Sequence, residues 1–288
     1  NMWYVNYCII VGSYLASSLV CFILDMKFPI GKGYKIKDDM SRSDYIKLYR
    51  KFTPLSLFNI CISIIPFIYI TDTYYLSKLP FYPDTDSILK GSLICLYELI
   101  FILVDTDIIF YIAHRLLHCH PIIYKAIHNT HHKILHPIGI GAVYANPIDF
   151  YIGNIIPIFL GAYFFASNVL VYRIWMLIAI ISSVIISHSG IIGISEEHDF
   201  HHTIGKYNYG ISVFMDKLFG TYHNPKMNFY YGKYINKNYN NDNNDNDNND
   251  DNNDDDDNDN DDDEEESESR KKKKKSKSKK ESKRKKKI

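Results

Sequence analysis

"DFYIGNIIPIFLGAYFFASNVLVYRIWMLIAIISSVIIS", residues 149–187, is a mostly apolar run with a polar break at Ser167-Asn168. A bilayer core about 30 Å thick takes about 20 helical residues. The run is therefore long enough to cross, turn at the break and return. Three stretches of the same character precede it: residues 2–24, residues 54–70 ("PLSLFNICISIIPFIYI") and residues from about 88 to 113. Pro66 is expected to kink the second of these without excluding it as a span. Backbone groups in lipid must be satisfied within their own segment, so runs of this length read as helices. The expected fold class is all-α: a multi-span membrane protein with four to five transmembrane or re-entrant helices.

The chain has 288 residues, room for one large domain with appendages. Its formal charge of zero and mean hydropathy of -0.19 hide a strong asymmetry. Residues 239–288 hold 18 of the 33 acidic and 14 of the 33 basic side chains, leaving 15 acidic and 19 basic in a very apolar body. The tail runs through Asn and Asp, then Glu, then Lys. It cannot bury enough apolar area to fold and is expected to be disordered. Its lysine run reads as a solvated segment with weak attraction to anionic lipid, and no nucleic-acid partner is expected. Three regions are therefore expected: N-terminal spans and a basic loop over 1–87, a histidine-bearing domain over 88–234, and the tail over 235–288.

Residues 2–24 have the length of a full span and read as a membrane helix rather than a cleaved leader. Residues 25–53 carry eight basic side chains, among them Lys27, Lys35, Arg42, Arg50 and Lys51. The excess of positive charge assigns this polar loop to the cytosol. Residues 71–87 carry three aspartates and only Lys78 for positive charge, and are expected on the lumenal side. The five cysteines show no paired spacing and read as packing residues in a reducing setting. Cys119, between His118 and His120, is the thiol placed to be a ligand, although soft sulfur would bias a site toward zinc.

Counting spans from the basic loop brings three histidine clusters to one face, the cytosolic one. These are "HRLLH" (114–118), "HNTHH" (128–132) and "HDFHH" (198–202). Residues three and four apart share a helix face. His114 and His118 are i and i+4. His128, His131 and His132 are i, i+3 and i+4, as are His198, His201 and His202. Each cluster is expected to present its imidazoles in one direction. One such pair alone would read as a satisfied interfacial pair. Three clusters with one phasing on one side read as a metal site. Eight or nine imidazoles exceed the four ligands of a zinc ion and suit two ions. Imidazole accommodates zinc, copper, iron and nickel, so residue type leaves the metal open.

Residues from about 100 to 222 resemble the fatty acid hydroxylase/sterol desaturase superfamily of membrane-bound di-iron oxygenases. Asp107 and Tyr111 stand where that family has Asp and Tyr ahead of "HRxxH", and "HNTHH" matches its HxxHH box. "HPIGIGAVYANP" (136–147) follows its Pro–Gly–Ala–Tyr–Pro spacing, and "SHSG" (187–190) is similar to its histidine–glycine box. "EHDFHH" followed by "FMDKLFGT" resembles its closing signature, with Asp216 and Gly220 in register. Three positions depart from the pattern. Asn146 and Glu197 stand where many members have histidine, and Ser187 replaces the usual acidic neighbour of His188. The single histidine before Asp199 is similar to the sphingoid-base C4-hydroxylase branch. Other positions fit sterol C4-methyl oxidases or sterol C5-desaturases equally well.

The resemblance implies a cytosolic cap holding two iron ions on His114, His118, His128, His131, His132, His188, His198, His201 and His202. It implies hydroxylation or desaturation of a membrane lipid (a sterol, sphingoid base or fatty acyl chain) with O2. Electrons would come from cytochrome b5 and its NAD(P)H-dependent reductase. Asp107 and Asp199 are expected as catalytic acids that hold imidazole N–H groups from behind. Glu98 and Asp105, in the third span, are expected to face a polar cavity. Tyr111 and Tyr144 read as packing residues. The final "KKKI" resembles the dilysine retrieval signal of endoplasmic-reticulum membrane proteins, implying residence there. The rival readings are an inactive homologue that binds lipid and keeps the metal as a staple, and an ion transporter. The transporter reading expects charge at mid-membrane, whereas these histidines lie at helix ends.

Overall fold

The computed structural model describes residues 3–27, 40–191 and 193–225. The chain divides into two units, Asn1–Lys237 and Asn238–Ile288. The tail, with its expected disorder and "KKKI", lies outside the described residues, as do residues 28–39 of the basic loop. The described residues are helical and form no strand.

Helix α1 (Trp3–Lys27) is the first expected span. Helix α2 (Arg42–Phe58) starts at a reciprocal cap: the Ser41 hydroxyl accepts from Asp44 N–H while the Asp44 carboxylate accepts from Ser41 N–H, both at 3.3 Å. Residues 42–53, read from the sequence as polar loop, are thus helix. They bury Tyr45 and Phe52 and turn Arg42, Lys47, Arg50 and Lys51 outward. The element continues through a π-helical turn (Asn59–Ser63) into α3 (Ile65–Tyr74). The distortion expected at Pro66 is this turn, where Ile64 N–H reaches back to Asn59 O beside a residue that has no N–H of its own.

Helix α4 (Ile88–Cys119) has 32 residues, about 48 Å of helix, and runs unbroken through "HRLLH". Then come α5 (Pro121–Ile123), a π turn (Tyr124–His128), α6 (Asn129–His132), a 3-10 segment (Gly139–Val143) and α7 (Pro147–Asp149). A further π segment (Phe150–Ile155) leads into α8 (Ile156–Phe165). Helix α9 (Val169–Ile181) is N-capped by Asn168, whose side chain accepts from Val171 N–H. It ends in another π segment (Ser182–Ser187), followed by α10 (Glu196–Ile204) and α11 (Val213–Leu218).

Among the described residues four elements are long and apolar enough to cross a membrane: Trp3–Lys27, Arg42–Lys78, Pro147–Phe165 and Val169–Ser187. The hairpin breaks where its sequence indicated. The third expected span, α4, is long enough but is not one of the four, because Glu98, Asp105 and Asp107 interrupt its apolar character. Glu98 is not among the residues that line the cavity described below. It accepts from Ser167 N–H and Asn168 Nδ2 and fastens α4 to the hairpin break. Asp105 instead lies against Gly161 of α8. A Cβ on Gly161 would stand 2.9 Å from Asp105 Oδ2 and 3.2 Å from Ile102 O, so glycine lets these two helices approach.

The N-terminal spans hold the segment before the hairpin. Tyr14 of α1 donates to Ile140 O at 2.6 Å, and Asn59 donates to Val143 O and Ala145 O, both at 2.9 Å. Gly139 sits where a Cβ would come within 2.7 Å of Cys21. This buried segment delivers the carbonyl of Tyr144 to the site described next.

Candidate metal centre

The nine sequence-selected histidines converge in two groups. One comprises His114, His118, His128, His132 and His201; the other comprises His131, His188, His198 and His202. Within each group one ring nitrogen per residue lies within 4.8 Å of every other, and all but His118 and His198 are buried. The groups adjoin, with the rings of His132 and His202 stacked 4.8 Å apart.

Helical phasing predicts that each cluster points one way. The structure divides two of the three. Adjacent residues on a helix differ by about 100° around its axis, so His131 and His132 enter different groups, as do His201 and His202. The i, i+4 pair of one cluster is joined by the i+3 histidine of the other: His128 and His132 with His201, His198 and His202 with His131. These two clusters therefore each bridge both groups, while His114 and His118 stay together in the first.

Nitrogen spacing fits cation binding. His114 Nε2 lies 3.1 Å from His128 Nε2, and His118 Nε2 lies 3.0 Å from His132 Nε2 and 3.2 Å from His201 Nε2. In the second group His198 Nε2 is 3.2 Å from His188 Nε2 and 3.0 Å from His202 Nε2. Neighbouring ligands on one ion with metal–nitrogen distances of about 2.1 Å stand about 3 Å apart.

The far side of the rings fixes which nitrogen is free. Nδ1 of His114, His131, His188 and His201 faces the carbonyl oxygens of Tyr209 (2.7 Å), Tyr144 (3.2 Å), Ser183 (2.8 Å) and Tyr207 (2.6 Å). A carbonyl only accepts, so Nδ1 carries the proton and Nε2 keeps its lone pair toward the centre. His128 Nδ1 faces both carboxylate oxygens of Asp149, at 3.0 and 3.1 Å. Burial pushes the imidazoles of His118 and His131 down to about 4 and that of His188 down to about 3. Burial followed by the neighbouring rings also lowers His128, His132, His198 and His202. Neutral imidazole is the form that binds metal.

A cavity of about 310 Å³ adjoins both groups, reaching His114, His128, His131, His188 and His198. It follows one stripe of α4 (Leu103, Thr106, Phe110, His114) and one stripe of α9 and its π extension (Trp175, Ile178, Ala179, Ser182, Ser183, Ile186). The α4 stripe alone runs about 17 Å. Trp175 Nε1 and Thr106 Oγ1 both donate to Ile158 O, which pins the three walls together.

Residues 99–221 match the family model described as fatty acid hydroxylase. That stretch, 123 of the 288 residues, is similar to the fatty acid hydroxylase family, and the relatives below support the fatty acid hydroxylase/sterol desaturase superfamily. It is 37% identical over 126 residues to human "Fatty acid hydroxylase domain-containing protein 2", covering 42% of this chain and 37% of that protein. It is 32% identical over 186 residues to a fatty acid hydroxylase of Mycosarcoma maydis, covering 60% of this chain and 45% of the relative. With methylsterol monooxygenase 1 of Danio rerio it shares 28% identity over 230 residues, 73% of this chain and 76% of that one. The match thus spans little more than a third of the human relative's length. No solved structure matches.

The superfamily's closing signature acts as a clamp here. Asp216 accepts from Tyr209 N–H (2.9 Å), Gly210 N–H (2.8 Å) and Thr221 Oγ1 (2.7 Å), while Gly220 adopts φ 71°. The clamped loop presents the carbonyls of Tyr207 and Tyr209 to His201 and His114. Asp107 supports the same loop. Its two carboxylate oxygens accept from Ser212 N–H (2.9 Å) and Ser212 Oγ (2.7 Å), where the sequence reading had assigned it an imidazole. Asp199 is buried on α10 among the histidines.

Asp149, which holds the imidazole of His128, was missed. Its signal was present, since a carboxylate opening a membrane hairpin is expensive to bury without a partner. Of the departures from the superfamily pattern, Asn146 is the N-cap of α7, accepting from Ile148 N–H at 2.9 Å. Asn146 and Glu197 belong to neither histidine group, and Ser187 lines the cavity. Cys119 is exposed and outside both groups. Three of the four π segments adjoin the site: one ends at His128, one follows Asp149 and one precedes His188. Such bulges are frequent at functional sites.

Proposed function

We propose that this protein is a membrane-bound non-haem di-iron oxygenase that hydroxylates or desaturates a sterol, sphingoid base or fatty acyl chain. The carrying observation is the convergence of nine imidazoles, their free nitrogens gathered in two adjoining groups beside an apolar cavity. The five-histidine and four-histidine groups would each hold one iron ion. Bound iron would supply O2 activation and the oxidising power that an unactivated C–H bond requires. The chain's own residues do the rest. The carbonyls of Tyr144, Ser183, Tyr207 and Tyr209 and the Asp149 carboxyl fix the ring tautomers. Asp216 and Asp107 hold the loop that carries two of those carbonyls. The stripes of α4 and α9 orient an apolar chain and exclude water. Asp199 is proposed as a further support of the α10 imidazoles.

The names of the relatives, fatty acid hydroxylase and methylsterol monooxygenase, support the substrate class. Cytochrome b5 and its reductase are the proposed electron source. The decisive experiment is oxygen consumption by purified protein, coupled to oxidation of reduced cytochrome b5, with lipid profiling of a deletion strain naming the substrate. Two metal ions per chain, chiefly iron, are expected. Metal-replete protein that consumes no oxygen with any lipid accumulated by the deletion strain would reject the enzyme in favour of a metal-stapled lipid binder.

The proposed address is the endoplasmic-reticulum membrane with the histidines in the cytosol. A glycosylation acceptor inserted between Asp84 and Asp86 should be modified and one after Pro225 should not; the reverse would invert the topology. Changing Lys285 and Lys286 to serine should release the protein from the endoplasmic reticulum, and unchanged residence would reject "KKKI" as the signal.

A further inference from the structure

Glu197 stands in the first turn of α10, beside His198, and lines the cavity with its side chain half-buried. Only its backbone carbonyl is engaged, accepting from Asn208 Nδ2 at 3.4 Å. Among the described residues none pairs with its carboxylate, and it is not a member of either histidine group. Favourable placement at a helix N-terminus accounts for an acid in this turn. Glu196 and Asp199 already serve that end of the helix, and it does not account for an acidic residue in the cavity lining.

The cavity wall shows the same pattern nearby. Asn154, Ser182, Ser183 and Ser187 also line it, and their side chains have no partner among the described residues. Other polar lining is engaged: Thr106 donates to Ile158 O and Ser212 to Asp107. Two of the unengaged residues adjoin histidines in the chain, Ser187 next to His188 and Glu197 next to His198. Leu103, Ile158, Trp175 and Ile178 form the wall farther along the stripes. A carboxylate with no protein donor takes its hydrogen bonds from water or a ligand, and it can only accept.

We propose that Glu197 is a specificity residue that accepts a hydrogen bond from the O–H or N–H donor at the polar end of the lipid substrate. The lipid then enters with its polar end at the histidines and its tail along α4 and α9. The oxidised carbon lies near the polar end rather than deep in the chain. The inference rests on reading the cavity as the lipid site.

Trp175 lines the cavity and the chain has one other tryptophan, Trp3, so Trp175 fluorescence in a Trp3→Phe background reports occupancy. Metal-replete full-length protein in detergent is titrated with 1-hexadecanol, hexadecylamine and methyl hexadecyl ether. The donor-bearing ligands should bind about tenfold or more tightly than the ether, since hydrogen bonds to charged groups carry that weight. Glu197→Gln should remove most of that preference, more for the amine than for the alcohol, and leave the ether unchanged. Comparable affinity for all three ligands in the Glu197 protein overturns the proposal without any Glu197 variant, as does failure of all three to bind. An unchanged preference in Glu197→Gln also overturns it. Donor preference without oxygen consumption would sink the oxygenase reading and leave this inference standing. Oxygenase activity without donor preference would do the opposite.

Discussion

Asp149→Asn separates metal binding from folding, because the two should move in opposite directions. The Asp149 side chain is fully buried, and its oxygens lie 3.0 and 3.1 Å from His128 Nδ1. An amide can still accept from that N–H through its one oxygen. It loses the charge that strengthens the bond and makes the ring a better ligand. Removing such a support costs about 10- to 100-fold in metal affinity, about 1.4 to 2.7 kcal/mol. In metal-free protein the comparison reverses, since a neutral amide is cheaper to bury than a carboxylate. The melting temperature of the metal-free variant should match or exceed wild type. Only the five-histidine group contains His128, so chelator competition should remove one ion early and leave the other at wild-type affinity. Metal content by mass spectrometry after graded chelation, with a melting curve of the stripped protein, reads both effects. Wild-type retention of both ions would refute the role assigned to Asp149, and equal loss of both would refute the division into two groups.

His131→Ala and His201→Ala should each abolish activity, with occupancy falling in the four-histidine group for the first and the five-histidine group for the second. Spectroscopy of the remaining ion should distinguish the variants, and identical residual spectra would argue against the crossed arrangement. Gly139→Ala forces a methyl to within 2.7 Å of Cys21 and should cost about 1–3 kcal/mol as overpacking. An unchanged melting temperature in detergent would place the 139–143 segment elsewhere. Metal-free protein should lose stability as pH falls from about 6.5 toward 4. The unfolded chain takes up protons there that buried His118, His131 and His188 refuse until about 4 or 3. Each group contributes at most about 1.4 kcal/mol per pH unit, and a flat melting temperature from pH 7 to 5 would contradict neutral, buried imidazoles.

Apolar length alone specified the helical hairpin and its break at Ser167-Asn168, because a membrane span is a local property of about 20 residues. Histidine spacing likewise selected eight of the nine converging side chains, since helical phasing is fixed by the backbone, whereas His188 followed only from the resemblance. What spacing could not give was the partition. Whether His131 joins His132 or His202 depends on which helices face it, and only packing sets that. Capping by Ser41 and Asp44 turned half of an apparent polar loop into helix, a short-range signal masked by its basic residues. Acidic residues were the least legible. Asp107, Asp149, Glu98 and Asp216 are all carboxylates expensive to bury, and the sequence marks each as needing a partner. Those partners lie 105, 21, about 70 and 5 to 7 residues away. Only the folded chain decides which acid meets an imidazole and which meets a backbone N–H.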